Sequence, residues 1–317
     1  MQLTPSRMGV PLHIGVVTAY PDEDWHSRRL IAAARKRGRV TIVRPEALAV
    51  RLQGGRARAL AAGVDLRRYT LLLLPRALGE KGSADFQVEV YRLASEQGAV
   101  LVNEVDALLA AVDKFRSSVL FERAGVPTPA SAVVQELADA RAVVADWGTA
   151  VCKPLFGSLG RGVRLVRASD SSGLARLLKR HRALYLQRYV ESSDGDLRAF
   201  VVGSRVVAAV RRRAKRGDFR TNAGRAAGVA RVELDARLCA LSVRAARAVG
   251  LDYTGVDLVE GPDGPLVLEV NGAPRWESLE DTTGCDVARA IVAHAIERRN
   301  QFLGSKHTPT ARSFGNG

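Results

Sequence analysis

Apolar residues along this chain recur in two alternating rhythms. Short apolar runs at 12–18, 40–43, 70–75 and 99–102 are separated by stretches at 24–37 and 83–97 whose apolar positions fall three or four apart. The first rhythm suits strands covered on both faces and the second suits amphipathic helices, so 1–102 predicts a small doubly wound α/β domain with a parallel sheet. A second unit, 103–186, opens where Asp113 can cap a helix running to Arg123, which Gly125, Pro127 and Pro129 then stop. Strands at 131–134, 149–153 and 163–167, helices at 136–146 and 171–180, and an edge strand at 184–189 make it an α+β lobe. The third unit, 187–300, starts with strands 196–202 and 205–212 joined through Gly203-Ser204, a two-residue hairpin turn. Helix 233–249, strands 253–260 and 266–271 about the turn Pro262-Asp263-Gly264, and helix 286–299 complete it. The polar stretch 301–317 has no apolar period and is expected to be a disordered tail.

Three stretches carry chemistry. In Val151-Cys152-Lys153-Pro154-Leu155-Phe156-Gly157-Ser158-Leu159-Gly160-Arg161-Gly162-Val163 a strand ends in a lysine, and a glycine-rich loop leads back to another strand. Backbone N–H groups of such a loop, with the Ser158 hydroxyl, can cradle phosphate oxygens, and Lys153 can place a point charge on them. No Gly-Lys-Ser/Thr follows, so this is not a Walker loop; a plain turn is the competing reading. Near the C-terminus, Asp257 and Glu269 are set among apolar strand residues, where an unpaired carboxylate is costly. Glu269 and Asn271 are two apart and point the same way, so neighbouring antiparallel strands can bring all three together as oxygen ligands for Mg²⁺; pairing with arginines is the alternative. The third stretch holds Asp196 and Arg198, then Arg211-Arg212-Arg213, in which alternation puts Arg211 and Arg213 on one face and Arg212 on the other, and then Asn222.

Charge and cysteine content change this picture little. The net charge is +15, but only seven of 48 basic residues are lysine, and the arginines run through nearly every predicted helix rather than forming one stripe. Background composition accounts for that better than a nucleic-acid surface does. Three cysteines without metal-ligand spacing read as reduced thiols. No run of eighteen apolar residues and no signal-peptide pattern is present, so no membrane partner and a cytoplasmic setting are expected.

Taken in order, these residues resemble the ATP-grasp superfamily, and within it the RimK-like ligases, across roughly 102–296. Asp113-Lys114 with Gly125-Val126-Pro127, Lys153-Pro154 with its glycine loop, Gln187-Arg188-Tyr189-Val190, Asp196-Leu197-Arg198, Arg212-Arg213-Ala214, Gly217 through Asn222, Gly255-Val256-Asp257 and Glu269-Val270-Asn271 carry the resemblance. It implies an ATP-grasp fold with an N-terminal Rossmann-like pre-ATP-grasp domain, in which Lys114, Lys153, Gly157, Ser158, Gly160, Gly162, Gln187, Val190, Asp196 and Arg198 surround ATP. It further implies that Asp257, Glu269 and Asn271 hold Mg²⁺, two ions with Mn²⁺ able to substitute, and that Arg213 and Asn222 face the transferred phosphate and the carboxylate substrate. The implied activity is ADP-forming carboxylate–amine ligation through an acyl phosphate. The substrates would be a small-molecule carboxylate or a protein terminus and an amino-acid amine, glutamate among them, and a homo-oligomer is compatible. Gly272-Ala273-Pro274-Arg275-Trp276 departs from ribosomal-protein-modifying members, in which glycine often follows this proline, and makes Trp276 either a substrate wall or a core anchor. An ATP-grasp enzyme with another acceptor, such as a thiol or a growing polyglutamate tail, and a basic nucleotide-binding protein without turnover are the competing functions.

Overall fold

The computed structural model describes residues 11–76, 78, 81–155, 162–192, 194–215 and 226–305. Its contacts divide the chain into two compact units, Met1–Val105 with Ala288–Gly317, and Asp106–Val287.

In the first unit β1 (His13–Val17), α1 (Trp25–Arg35) and β2 (Arg39–Val43) begin a wound sheet. The strands β3 (Leu48–Gln53), β4 (Arg56–Ala61) and β5 (Val64–Asp65) then form a separate three-stranded antiparallel meander. After them β6 (Leu71–Leu73), α2 (Ala84–Glu96) and β7 (Leu101–Val102) complete a parallel sheet of order β2-β1-β6-β7. The strand interiors Ile14, Val16, Leu72 and Leu73 are buried, as the continuous apolar runs require. Asp24 and Ser83 cap α1 and α2 by accepting from Ser27 N and Phe86 N. The meander was not anticipated. Its signal is Gly54-Gly55, both at positive φ (57° and 69°), which turns the chain between two alternating runs.

The second unit begins with α3 (Val105–Val112) and α4 (Lys114–Arg123), whose cap Asp113 accepts from Phe115 N and Arg116 N. Next come β8 (Ser131–Val134), α5 (Leu137–Trp147), β9 (Thr149–Lys153), β10 (Arg164–Arg167), α6 (Ser171–His181) and β11 (Leu184–Arg188). The sheet order is β10-β9-β11-β8, so β11 is an inner strand and not the edge that was expected. Leu184 and Leu186 explain this, being buried with Cys152, Val166 and Leu174 in one core. A five-stranded antiparallel sheet of order β14-β13-β12-β15-β16 follows. It is built from β12 (Asp196–Val202), β13 (Arg205–Ala214), β14 (Ala226–Arg231), β15 (Tyr253–Gly261) and β16 (Gly264–Asn271). Helix α7 (Ala236–Val249) packs against β12, β13, β15 and β16, and α8 (Glu277–Thr283) against β13 and β14. The final helix, α9 (Val287–Ser305), runs five residues into the expected tail, and from Ala288 on it clusters with the first unit rather than closing a third. Arg298 there donates to Leu101 O (3.0 Å) and pairs with Glu104 (3.0 Å).

Candidate ATP and metal site

The two sheets of the second unit each present a polar face. On the four-stranded sheet Lys153 is the last residue of β9 and stands opposite Tyr185 of β11. Its ammonium donates to Gln187 Oε1 at 2.7 Å. Gln187, 2% exposed, donates in turn to Ser131 Oγ (3.4 Å) and Tyr185 OH (3.3 Å), and the Tyr185 hydroxyl also meets Ser118 and Ser131. The Gln187 amide is therefore spent on orienting Lys153. Burial holds the lysine below its ordinary pKa, Glu269 opposes that, and Lys114 adds to it. These couplings place Lys153 within electrostatic reach of Lys114, on the first turn of α4, and of Glu269 and Asp257 on the other sheet. Val190 follows β11 and is half-buried beside Gly261. Gly162 precedes β10, whereas Gly157, Ser158, Gly160 and Asn222 lie outside the described residues.

The face of the five-stranded sheet is assembled by two β-bulges. A plain two-residue hairpin at Gly203-Ser204 would set Asp196 opposite Arg211; the register shift between Phe200 and Val201 sets it opposite Arg212 instead. The shift between Asp257 and Leu258 likewise pairs Asp257 with Glu269, where unbroken pairing would reach Leu268. Asp196, Arg198, Arg212, Asp257, Glu269 and Asn271 consequently share one face. This corrects the expected place of Arg213. The bulge turns Arg213 to the opposite face, where it is 65% exposed and pairs with Asp194, while the unassigned Arg212 takes the cleft-facing position and is buried.

Within this set Arg212 grips Asp196 through two bonds of 2.7 Å and reaches Asp257 at 3.0 Å. Arg198 grips Asp257 with Nε and Nη2. Burial drives the Asp257 carboxyl upward in pKa, but the Arg198 and Arg212 guanidiniums outweigh it and hold it below the usual carboxylate range. Asp257 thus meets the arginines that the sequence left as the alternative to a metal. Glu269 differs: it is half-buried and, among the described residues, makes no hydrogen bond or ion pair. Asn271 donates Nδ2 to Gly255 O at 3.2 Å, which leaves its Oδ1 as an acceptor on the strand face that Glu269 shares. A carboxylate and an amide oxygen free of other partners, beside a second carboxylate, fit a hard divalent cation. Ligation by Asp257 requires exchange of a guanidinium contact. No group of three His, Cys, Asp or Glu that could hold a metal occurs among the described residues. Trp276 is buried, edge-on to Phe200 at 5.8 Å, which is the geometry of a core anchor.

The chain matches the family model of the RimK-like ATP-grasp domain over residues 111–295. A probable alpha-L-glutamate ligase 1 of Shewanella amazonensis is 33% identical over 290 residues, 89% of this chain and 94% of that one. A probable alpha-L-glutamate ligase of Xanthomonas euvesicatoria pv. vesicatoria is 36% identical over 276 residues, 85% and 92% of the two chains. Among solved structures, the ATP-grasp ligase PsnB complexed with minimal precursor, Mg and ADP superposes with a TM-score of 0.71 at 21% identity, covering 90% of this chain and 98% of that one. Motif order, sheet topology and these likenesses agree: the chain belongs to the RimK-like ATP-grasp family of ATP-dependent carboxylate–amine ligases.

Proposed function

We propose that this chain activates the carboxylate of a small molecule or a protein terminus as an acyl phosphate and joins it to the amine of an amino acid, glutamate first among the candidates. The observation that carries the reading is the convergence of Lys153 with the Arg198, Arg212, Asp257, Glu269 and Asn271 face. The names of the relatives favour glutamate.

In this reading Lys153, held by Gln187, and Lys114 neutralise the triphosphate of ATP. Arg212 and Arg198 hold the charge that develops as a substrate carboxylate oxygen attacks the γ-phosphorus and ADP departs. The amine then attacks the acyl carbon and inorganic phosphate leaves. Asp196 keeps the Arg212 guanidinium planar to the site and so acts as a positioning residue. Glu269 and Asn271, with Asp257 after a guanidinium exchange, would hold Mg²⁺, two ions being expected and Mn²⁺ able to replace them. Bound there, the metal supplies neutralising charge to the phosphates. Positioning and electrostatics suffice, and no protein nucleophile is needed. A cytoplasmic setting belongs to the same reading, supported by three free cysteines, of which Cys152 is pushed up to about 11 by burial. No helix among the described residues is long and apolar enough to cross a membrane.

The test is an ADP-release screen of glutamate and other amino acids against candidate carboxylates, with mass measurement of the products. An acid labelled with oxygen-18 should pass one label into the released phosphate. Unlabelled phosphate would remove the acyl-phosphate route, and release of AMP would indicate adenylation.

A further inference from the structure

The free edge of the four-stranded sheet borders a groove on the α6 side of the sheet, the face opposite Lys153. β10 is the terminal strand of the order β10-β9-β11-β8 and among the described residues pairs only with β9, so one row of its backbone groups is unpartnered in the sheet, apart from Arg167 O at its end, which accepts from Asp170 N at 2.9 Å. Beside this edge runs one stripe of α6, made by Gly173, Arg176, Leu177 and Arg180 at helical spacing. Strand edge and helix stripe, with Gly162 and Val163 just ahead of the strand, line an open groove of about 610 Å³.

Its charge is one-sided. Arg164 of β10 lies on the same strand face as Val166, which packs into the core with Leu174 of α6, so Arg164 rises on the α6 side toward Arg176 and Arg180. Among the described residues none of these three arginines pairs with an acid; Arg176 touches only the hydroxyl of Ser172, at 3.3 Å. The one acid in the lining, Asp170, is turned to the helix start, where it accepts from Gly173 N at 2.9 Å. Charges on an edge strand ordinarily discourage pairing with another chain. Three arginines converging from two elements reverse that rule for a strand that is itself acidic.

We propose that this groove binds an acidic, α-linked extended peptide, an oligoglutamate segment added to β10 as a fifth strand. Alternation along such a strand turns every second carboxylate toward Arg164, Arg176 and Arg180, while its backbone completes the open ladder. A γ-linked oligoglutamate has the same charge, but its longer backbone cannot match the ladder spacing. The groove would act as an exosite that keeps an elongated product close and raises its effective concentration for the next addition. This use rests on the reading that glutamate is the residue joined.

Fluorescein-labelled α-linked and γ-linked hexaglutamate, titrated into the full-length protein and followed by anisotropy, test it. The α-linked tail should bind, more weakly as salt rises, and both the γ-linked tail and an Arg176→Ala/Arg180→Ala variant should show affinity lower by about tenfold. ADP release with a single-residue acceptor should be unchanged in that variant, because neither arginine lies on the catalytic face. Equal binding of the two linkages, or full binding by the double variant, overturns the strand-addition site. Tail binding without glutamate-dependent ADP release supports the groove and removes the glutamate reading; ADP release without tail binding does the opposite.

Discussion

Lys153 sits where burial and neighbouring charges pull against each other, and its ammonium has to stay charged to meet phosphate. Burial and Lys114 lower its pKa, with Glu269 only partly opposing. The charged form is lost as pH rises through this lowered value, so kcat/KM for ATP should fall on an alkaline limb lying below the free lysine value of about 10.4. Lys153→Met should remove that limb and cut kcat/KM about 100-fold. A limb that persists at the same pH in the variant would belong to another group. Arg212 and Arg213 offer a sharper contrast. Arg212→Ala takes the two-pronged partner from Asp196 and one of two guanidiniums from Asp257 in a buried site, at a cost of about 3–5 kcal/mol. Arg212→Lys keeps the charge without the two-pronged grip and should fold, yet turn over about 100-fold more slowly. Arg213→Ala, on the exposed face, should shift stability by less than about 0.5 kcal/mol and leave turnover near wild type. Urea melts and ADP release of the three variants decide, and a slow Arg213→Ala enzyme would restore the role that the family resemblance implied for it.

The strands β12, β15 and β16 position the catalytic face as one element. Gly255 lies beneath Arg198, and a Cβ there would come within 2.9 Å of Arg198 Nη1 and 3.0 Å of its Cδ. Gly255→Ala should therefore push Arg198 off Asp257, costing about 1–3 kcal/mol in a urea melt and slowing ADP release. An unchanged melt and rate would mean that Arg198 has room to move. Glu269→Gln asks a different question of the same strands. Because Glu269 makes no hydrogen bond or ion pair among the described residues, the variant should melt like wild type. The Mg²⁺ concentration for half-maximal ADP release should rise on the order of tenfold, since a neutral amide is a poorer ligand than a carboxylate. Magnesium dependence that does not move would take Glu269 out of the metal site.

At the scale of the molecule, the chain leaves its first unit at Val105 and returns to it at Ala288. Ile291, Val292 and Ala295 of α9 are buried, and burial of an Ile or Val side chain contributes about 1.5–3 kcal/mol. A chain ending at Val287 should thus lose the cooperative unfolding of the first unit while 106–287 stays protease-resistant. Limited proteolysis with mass mapping reads both outcomes. A first unit that resists protease without α9 would show that the wound sheet is stable without it.

Much of the architecture was legible from pattern alone. Asp113 caps its helix as its side chain predicts, Asp24 and Ser83 cap helices that the pattern starts at those residues, and the bounds of β8, β9 and β12 are those the apolar runs mark, because capping and alternation act over a few residues. The residue types of the site, a lysine ending a strand and two acids in apolar strands, were legible for the same reason. What faces what was not. Each bulge adds one unpaired residue and moves every later side chain on that strand to the other face of the pairing. One bulge exchanged Arg213 for Arg212, and the other brought Glu269 opposite Asp257. The inner place of β11 and the return of α9 to the first unit depend on contacts distant along the chain, which local pattern does not encode. The sequence by itself determined most of the helices, the longer strands and the chemistry available; the tertiary structure alone decided register and neighbours, because both are set by packing between segments that the chain separates.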